Sequence, residues 1–293
     1  MPATGPCASL GAAFATDSIV LAVPTHRARQ LIARLVSSDP IEDCQGTTRP
    51  SPPAYREPER LDTTRRVLVP ADTTLPVLIV WPYPASVDAR DLIDREVDLV
   101  ITEAPAAIDY AVTRGALRTA PLAWSTTYAL AFDGVGAPPV EVGDARRDEL
   151  ARDAVRADAR PAARPVWWDD PPCRVQPNTP VVRLPGIAIA GTDPIARALA
   201  ERLVALAASA ALRRVVSLSP AQLDSVARRG TATAFVIGLP DRRPSNCEAI
   251  PLLPVGWALV PLVQIRATAI AGPRVPSFVI LGDGTLVFSP ARP

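Results

Sequence analysis

The chain has no lysine: its 31 basic residues are all arginine, against 30 acidic residues, and the net charge is +1. A balance so close to neutral gives no electrostatic reason to expect nucleic acid or an anionic membrane surface as a partner. Histidine occurs once, at His26, and the four cysteines include no Cys-x-x-Cys pair. Because a structural zinc site needs about four clustered nitrogen or sulfur ligands, neither a metal nor another cofactor is predicted.

Signatures of catalysis, nucleotide binding and membrane insertion are missing as well. The sequence contains no Gly-x-Gly-x-x-Gly, Walker loop, Gly-x-Ser-x-Gly or His-Glu-x-x-His. No apolar stretch is long enough to span a membrane, and residues 1–15 lack the basic start of an export signal. The expected location is therefore cytoplasmic, or periplasmic or otherwise extracytoplasmic if a signal is missing from this chain.

Two of the cysteines, Cys173 and Cys247, flank the second half of the chain. In an oxidising compartment they are candidates for a disulfide, and the alternative is a pair of buried or unreactive thiols. The segment 282–284, Gly-Asp-Gly, predicts a hairpin turn, because a calcium loop needs oxygen ligands spread over about a dozen positions.

The strongest pattern present is a unit that occurs twice: a helix with start and stop signals, a short turn, and then a short apolar strand. The copies span 88–102 and 219–238. Each is typical of a crossover in an α/β sheet, and they lie more than a hundred residues apart. With 293 residues, of which 48% are hydrophobic, the chain can form two medium-sized cores. The pattern predicts two α/β lobes and a ligand-binding cleft between them.

Local signals place further elements. Apolar runs predict strands at 17–24 and 122–132, and a helical stripe covers 144–160. Gly115 is expected to end a helix. Ser219 and Gln222 form a Ser-x-x-Gln capping box at the start of another helix.

The domain organisation follows from these elements. A first α/β lobe is predicted over 1–160, including a loop at 47–64 that is rich in proline, arginine and threonine. Residues 161–180 carry six prolines and are predicted to cross between the lobes. The second lobe is predicted over 181–293, with extended segments towards its end.

Three candidate ligand-binding residues belong to the first predicted lobe. Glu103 follows a buried strand and precedes a helix, a position at the ligand-binding edge of open α/β sheets. There it could receive a cationic group, and the alternative is a solvated carboxylate favoured by the helix N-terminus. Trp124 and Tyr128 share one face of the strand predicted over 122–132 and are candidate walls of the cleft.

Three further candidates come from the later part of the chain. Trp167 and Asp169 combine an aromatic ring with a carboxylate, which suits a peptide or a cation, although packing between lobes explains them equally well. Arg266 lies in an apolar run, where it could pair with a ligand carboxylate or with a buried acid. His26 follows the first strand and is interpreted as a structural hydrogen-bonding residue.

Four segments also carry a resemblance to a known family. They are Arg-Glu-Val-Asp-Leu-Val-Ile-Thr at 95–102, Tyr-Ala-Leu-Ala-Phe-Asp at 128–133, the helix beginning at Arg147, and the helix beginning at Asp193. Their order is similar to that in the extracellular solute-binding proteins of the peptide and nickel ABC-transporter family. The resemblance covers about two thirds of the chain and is one of pattern. No ligand-binding motif of the family maps onto it.

That resemblance implies a two-lobed type 2 periplasmic-binding-protein-like fold and a protein without enzymatic activity. Its expected partners are an ABC permease and a small-molecule or peptide ligand, which is either peptide-like or cationic. Two alternatives remain. One is an enzyme acting on small acids, for which only Glu103 and Asp169 offer an acid/base pair. The other is a structural or regulatory domain that has lost its site, since the middle of the family's first lobe has no counterpart between Gly46 and Val67.

Overall fold

The computed structural model describes most of the chain. The described residues are 9–10, 17–38, 41–42, 48–49, 52–56, 59–72, 74–95, 97–124, 126–134, 139–155, 157–170, 174–175, 184–207, 212–229, 232–241, 243, 253–275, 278–280 and 286–288. Cys173 and Cys247 lie outside them, as does the segment 282–284.

The described residues form six α-helices, one π-helical segment (Leu150–Ala154) and one 3₁₀ turn (Val166–Asp169). The helices are α1 (Thr25–Val36), α2 (Ala89–Ile93), α3 (Pro105–Arg114), α4 (Asp144–Glu149), α5 (Pro194–Leu206) and α6 (Pro220–Arg229). The strands are β1 (Ser9–Leu10), β2 (Ser18–Pro24), β3 (Ile41–Glu42), β4 (Thr48–Arg49), β5 (Glu59–Arg60), β6 (Arg66–Leu68), β7 (Val77–Tyr83), β8 (Leu99–Thr102), β9 (Arg118–Pro121), β10 (Thr126–Asp133), β11 (Asp158–Pro161), β12 (Arg174–Val175), β13 (Leu184–Ala190), β14 (Val215–Leu218), β15 (Ala232–Pro240), β16 (Leu253–Pro254), β17 (Trp257–Arg266), β18 (Thr268–Ala271), β19 (Phe278–Ile280) and β20 (Leu286–Phe288).

The chain divides into two compact units, but not at the boundaries predicted from the sequence. Unit 1 comprises Met1–Trp124 and Arg266–Pro293, and unit 2 comprises Ser125–Ile265. Residues 125–160 belong to unit 2 because β10 pairs with β15 and β17. Strand β18, which follows β17, belongs to unit 1, where it pairs with β8 and β9. The proline-rich segment 161–180, predicted to cross between lobes, is part of unit 2.

Unit 1 is built on a seven-stranded sheet in the order β5-β6-β7-β2-β8-β18-β9. Its centre is parallel, because β2 pairs in parallel with both β7 and β8. Parallel strands covered on both faces are apolar at nearly every position, and β8 is buried throughout. On one face Leu21 packs in a cluster with Leu35 of α1. On the other face Ala22 packs with Leu92 of α2 and Ala107 of α3.

Unit 2 is built on a six-stranded sheet in the order β11-β17-β10-β15-β13-β14. The central strand β10 is buried at every position except its last residue, since helices cover both of its faces. Leu130 lies in one cluster with Leu199 of α5, and Ala131 lies in another with Leu223 of α6. Two parallel pairs, β13–β14 and β13–β15, give this unit its α/β character.

Several helix ends follow the predicted signals. Ser219 and Gln222 form the reciprocal capping box: the Gln222 N–H donates to Ser219 Oγ at 3.3 Å, and the Ser219 N–H donates to Gln222 Oε1 at 3.0 Å. Gly115 ends α3 with φ +66°, a conformation that glycine adopts without a steric penalty. Asp193 caps α5 by accepting from the N–H groups of Ile195 and Ala196.

Two predicted elements are shorter than expected. The helix predicted over 144–160 ends with the π-helical segment at Ala154, and residues 158–161 form β11 instead. The strand predicted over 122–132 begins only at Thr126. Trp124 therefore precedes β10 rather than sharing a strand face with Tyr128.

Candidate functional site

The first group of polar residues lies in unit 1, where three neighbouring parallel strands end. We call His26, Arg27, Tyr83, Thr102 and Glu103 the strand-end cluster, because they lie at or just beyond the ends of β2, β7 and β8. The carboxyl ends of parallel strands meet at one edge of a sheet, which is where open α/β sheets bind ligands. Of these five residues, the sequence analysis had singled out only two: Glu103 as a ligand-binding candidate and His26 as a structural hydrogen-bonding residue.

Glu103 has partners for both of its carboxylate oxygens within this cluster. Its side chain is only 8% exposed, its Oε2 lies 3.0 Å from His26 Nε2, and its Oε1 accepts from Arg27 Nε. Burial by itself would raise the pKa of Glu103, but the charges of Arg27 and His26 outweigh it and lower the pKa to about 2. The carboxylate is therefore ionised at neutral pH and already paired inside unit 1.

The other members of the cluster are held by backbone contacts. Tyr83 donates its hydroxyl hydrogen bond to the carbonyl oxygen of Ile101 at 3.0 Å, and burial raises its pKa. Thr102 Oγ1 accepts from the Ala104 N–H at 3.1 Å, immediately before α3. These contacts tie the ends of β7 and β8 together and fix the backbone on which Glu103 stands.

A second feature of unit 1 joins two predicted site residues. The guanidinium of Arg266, at the end of β17, lies over the ring of Trp124 with its carbon 4.7 Å from the ring centroid. Both side chains are half-buried. A cation over an indole face is attracted to the ring by about 0.5–2 kcal/mol, depending on solvent exposure. The two residues flank the points at which the chain leaves unit 1 and returns to it.

Tyr128 is placed differently from its predicted role as a wall of the ligand site. Its side chain is fully buried in unit 2, and its hydroxyl lies 3.0 and 2.9 Å from the two carboxylate oxygens of Asp193. Its ring packs against Gly238, where an added Cβ would come within 3.3 Å of it. Its neighbours in unit 2 enclose the ring.

A second group of polar residues crosses the sheet of unit 2. We call Thr127, Arg160, Asp241 and Gln264 the polar row. Thr127 Oγ1 donates to Asp241 Oδ1 at 2.5 Å, Gln264 Nε2 donates to Asp241 Oδ2, and Arg160 Nε donates to Gln264 Oε1 at 2.7 Å. Trp167 adjoins the row, because its indole N–H donates to the carbonyl oxygen of Asp241 at 3.0 Å.

Of the two candidates predicted near residue 167, only the tryptophan reaches this row. Asp169 is exposed and forms a salt bridge with Arg164 at 2.7 Å. Such a pair on the surface contributes little to stability. The sequence reading missed Asp241, whose only signal was its position directly after the apolar strand β15.

The six predicted residues are thus divided between the units. Glu103, Trp124 and Arg266 belong to unit 1, and Tyr128, Trp167 and Asp169 belong to unit 2. In the part of the chain that the structure describes, no three His, Cys, Asp or Glu side chains are grouped to hold a metal ion. None of the described helices combines the length and apolar character needed to span a membrane.

No protein-family model and no curated protein sequence matches the chain. Solved structures do. The dipeptide-binding protein from Pseudoalteromonas sp. SM9913, in complex with Met-Leu, is similar with a TM-score of 0.51 and 12% identity, over 82% of this chain and 64% of that chain. NikA from Staphylococcus aureus, in complex with Ni(L-His)2, gives a TM-score of 0.50 and 10% identity, over 80% of this chain and 68% of that chain.

The pheromone receptor PrgZ is a third structure with a TM-score of 0.50, at 7% identity over 87% of this chain and 66% of that chain. The chain therefore spans about two thirds of the length of each of these three proteins. At identities this low the similarity concerns the fold. The fold is of the type 2 periplasmic-binding-protein-like class, as the family resemblance of the sequence implied.

Proposed function

We propose that this chain is a solute-binding protein that captures a small peptide-like or cationic ligand and delivers it to an ABC permease. The observation that carries the proposal is the fold: two α/β units between which the chain passes twice, at 124–125 and at 265–266. Solved proteins of this fold are described as bound to Met-Leu and to Ni(L-His)2. On this proposal the protein acts outside the cytoplasm, where such ligands are captured for import.

The polar row supports a cationic group on the ligand. Asp241 is half-buried, and the hydrogen bonds that it accepts from Thr127 and Gln264 come from neutral donors. These bonds hold the carboxylate in place, and a carboxylate beside an aromatic ring suits the binding of an ammonium group. The ring of Trp167 beside it provides an aromatic surface of the kind that attracts cations.

The state of Glu103 supports binding rather than catalysis. A general acid needs a pKa near the working pH, and the pKa of Glu103 is about 2. Both of its oxygens already have partners: Oε1 accepts a hydrogen bond from Arg27, and Oε2 lies 3.0 Å from His26 Nε2. The other acid of the suggested pair, Asp169, is exposed and paired with Arg164.

A thermal-shift screen over dipeptides, amino acids, nickel–histidine complexes and small organic acids tests the proposal. A true ligand at a hundredfold excess over its Kd stabilises the protein by about 2.7 kcal/mol. Asp241→Asn is expected to abolish the shift caused by a cationic ligand. The matched control is Asp148→Asn, which makes the same charge change at an exposed position of α4 and leaves the shift intact.

Three results would count against the proposal. If a well-folded sample responds to no compound, the chain is a structural or regulatory domain. If a compound is converted to a product, the protein is an enzyme. If Asp148→Asn and Asp241→Asn reduce the shift equally, the polar row is not the binding site.

A further inference from the structure

Helix α1 begins in unit 1 directly after the parallel strand β2. In this stretch, which is described from residue 17 to residue 38, no side chain caps the helix N-terminus and no acidic residue occupies the first turn. The first N–H groups of a helix lack partners inside the helix and carry a partial positive charge. With 12 residues, α1 is long enough for this end to attract an anion.

A buried arginine in the same turn points to an anion independently. Arg27 is 8% exposed, and its Nε pairs with Glu103. Its Nη2 atom is buried as well, yet it has no hydrogen-bond partner among the described residues. Arg27 is the third residue of α1, so its side chain starts from the uncapped first turn of the helix.

An unpaired donor of this kind is costly. Leaving a buried donor without a partner costs about 1–3 kcal/mol, and more when the group is charged. Native proteins therefore pair nearly all such groups, with protein atoms, water or ions. The unpaired Nη2 of Arg27 and the uncapped end of α1 would both be satisfied by the same kind of ligand, a small anion.

The charges around this position leave room for one more negative charge. Glu103 is ionised and balances one positive charge, that of Arg27. The partial positive charge of the helix end is not balanced by it, and His26 adds a further positive charge whenever it is protonated. Tyr83, also close by, stays neutral because burial raises its pKa. Arginine can contact two carboxylates at once, since its five donors lie on separate edges of a planar group.

We propose that Nη2 of Arg27 and the first turn of α1 bind a carboxylate, which is either a free small acid or the acid group of a larger solute. The occupant must be small at the point of contact, because Nη2 has almost no accessible surface and its neighbours must shift to admit it. The site lies entirely within unit 1 and does not depend on the proposed function.

Isothermal titration of the dialysed full-length protein with sodium acetate, against sodium chloride at equal ionic strength, tests this site. Saturable acetate binding is expected for the wild type. Arg27→Lys keeps the positive charge opposite Glu103 but lacks Nη2, and it is expected to weaken acetate binding by about tenfold or more. Arg29→Gln, on the exposed side of the same helix, is expected to leave acetate binding unchanged.

A second variant keeps the test decisive if Arg27→Lys unfolds. Arg27→Gln combined with Glu103→Gln removes both charges together, so that no buried charge is left alone, and it is expected to lose acetate binding while staying folded. The proposal is overturned if the wild type does not bind acetate, if chloride binds and acetate does not, or if Arg27→Lys binds acetate as well as the wild type.

Glycylglycine and its C-terminal amide distinguish the two sources of the carboxylate. If the acid group of a larger solute is bound, the free peptide competes with acetate and the amide does not. If only a free acid fits, neither peptide competes. Acetate binding by a protein that responds to no dipeptide, amino acid or nickel–histidine complex in the thermal-shift screen would support this site while rejecting the transport function.

Discussion

The hydroxyl of Tyr128 lies 3.0 and 2.9 Å from the two carboxylate oxygens of Asp193, a residue 65 positions further along the chain. Both residues are buried. Asp193 also accepts from the N–H groups of Ile195 and Ala196 at the start of α5. A single carboxylate therefore joins the central strand of unit 2 to the helix that covers it.

Tyr128→Phe should lower the free energy of unfolding by about 1–3 kcal/mol, because it leaves a buried carboxylate without one of its donors. Tyr110→Phe is the matched control: Tyr110 donates to Asp94 at the exposed surface, and its loss should cost no more than about 0.5 kcal/mol. Urea denaturation monitored by circular dichroism measures both. Equal decreases in the free energy of unfolding of the two variants would show that the buried hydrogen bond stabilises the protein no more than the exposed one.

Glu103 should make stability depend on pH in the acid range. Its pKa is about 2 in the folded protein and 4.5 without the fold, so its contribution is complete above about pH 4.5 and is lost as the pH falls towards 2. The size of this contribution is about 3 kcal/mol. Denaturation of wild type and Glu103→Gln should therefore differ by about this amount at pH 6.

The difference between those two proteins should nearly vanish at pH 2, since Glu103 then begins to be protonated in the wild type. The comparison cancels the contributions of other acids, such as Asp62, whose pKa is lowered by backbone hydrogen bonds from Arg65 and Thr64. A difference that is constant between pH 6 and pH 2 would contradict an ionised, paired Glu103.

Gly186→Ala should destabilise unit 2 strongly. Gly186 has φ +131°, and an added Cβ would come within 2.5 Å of the Arg214 carbonyl oxygen. We expect a loss of at least about 3 kcal/mol in the free energy of unfolding. Gly115→Ala, with φ +66° and no atom within 4 Å of the added Cβ, should cost only about 1–2 kcal/mol. Thermal unfolding by calorimetry measures both, and similar losses would contradict the steric argument.

Trp167 should report ligand binding at the polar row. Its indole N–H donates to Asp241, so a cation bound there changes the surroundings of the ring. With a ligand identified by the thermal-shift screen, the change in tryptophan emission should disappear in Trp167→Phe and persist in Trp81→Phe, whose ring stacks under Arg65 in unit 1. An unchanged signal in Trp167→Phe would place the ligand elsewhere.

Local signals in the sequence predicted local structure well. The Ser219–Gln222 box and Gly115 act within a few residues of themselves, so their effect can be inferred without the rest of the chain. The fold class could be inferred for the same reason, because each crossover unit carries its own start, stop and strand.

The site depends on pairings between distant segments, which local patterns do not contain. Asp241 became a candidate only because β10, β15 and β17 are neighbours in one sheet, which brings Thr127 and Gln264 to its two oxygens. The burial of Tyr128 could not be predicted, because alternation along a strand shows which residues share a face but not whether a helix covers that face. The domain boundary was missed because a proline-rich composition does not show which sheet the flanking strands join.

The position of β18 between β8 and β9 also bears on the order in which the protein can fold during synthesis. Unit 2 is one continuous stretch of chain, Ser125–Ile265, and all the strands of its sheet have been made before β18 is translated. β9 has its sheet neighbour only once residues 268–271 have left the ribosome. The part synthesised first is thus among the last to be completed, and until then the edges of β8 and β9 stay open to mispairing or to a chaperone.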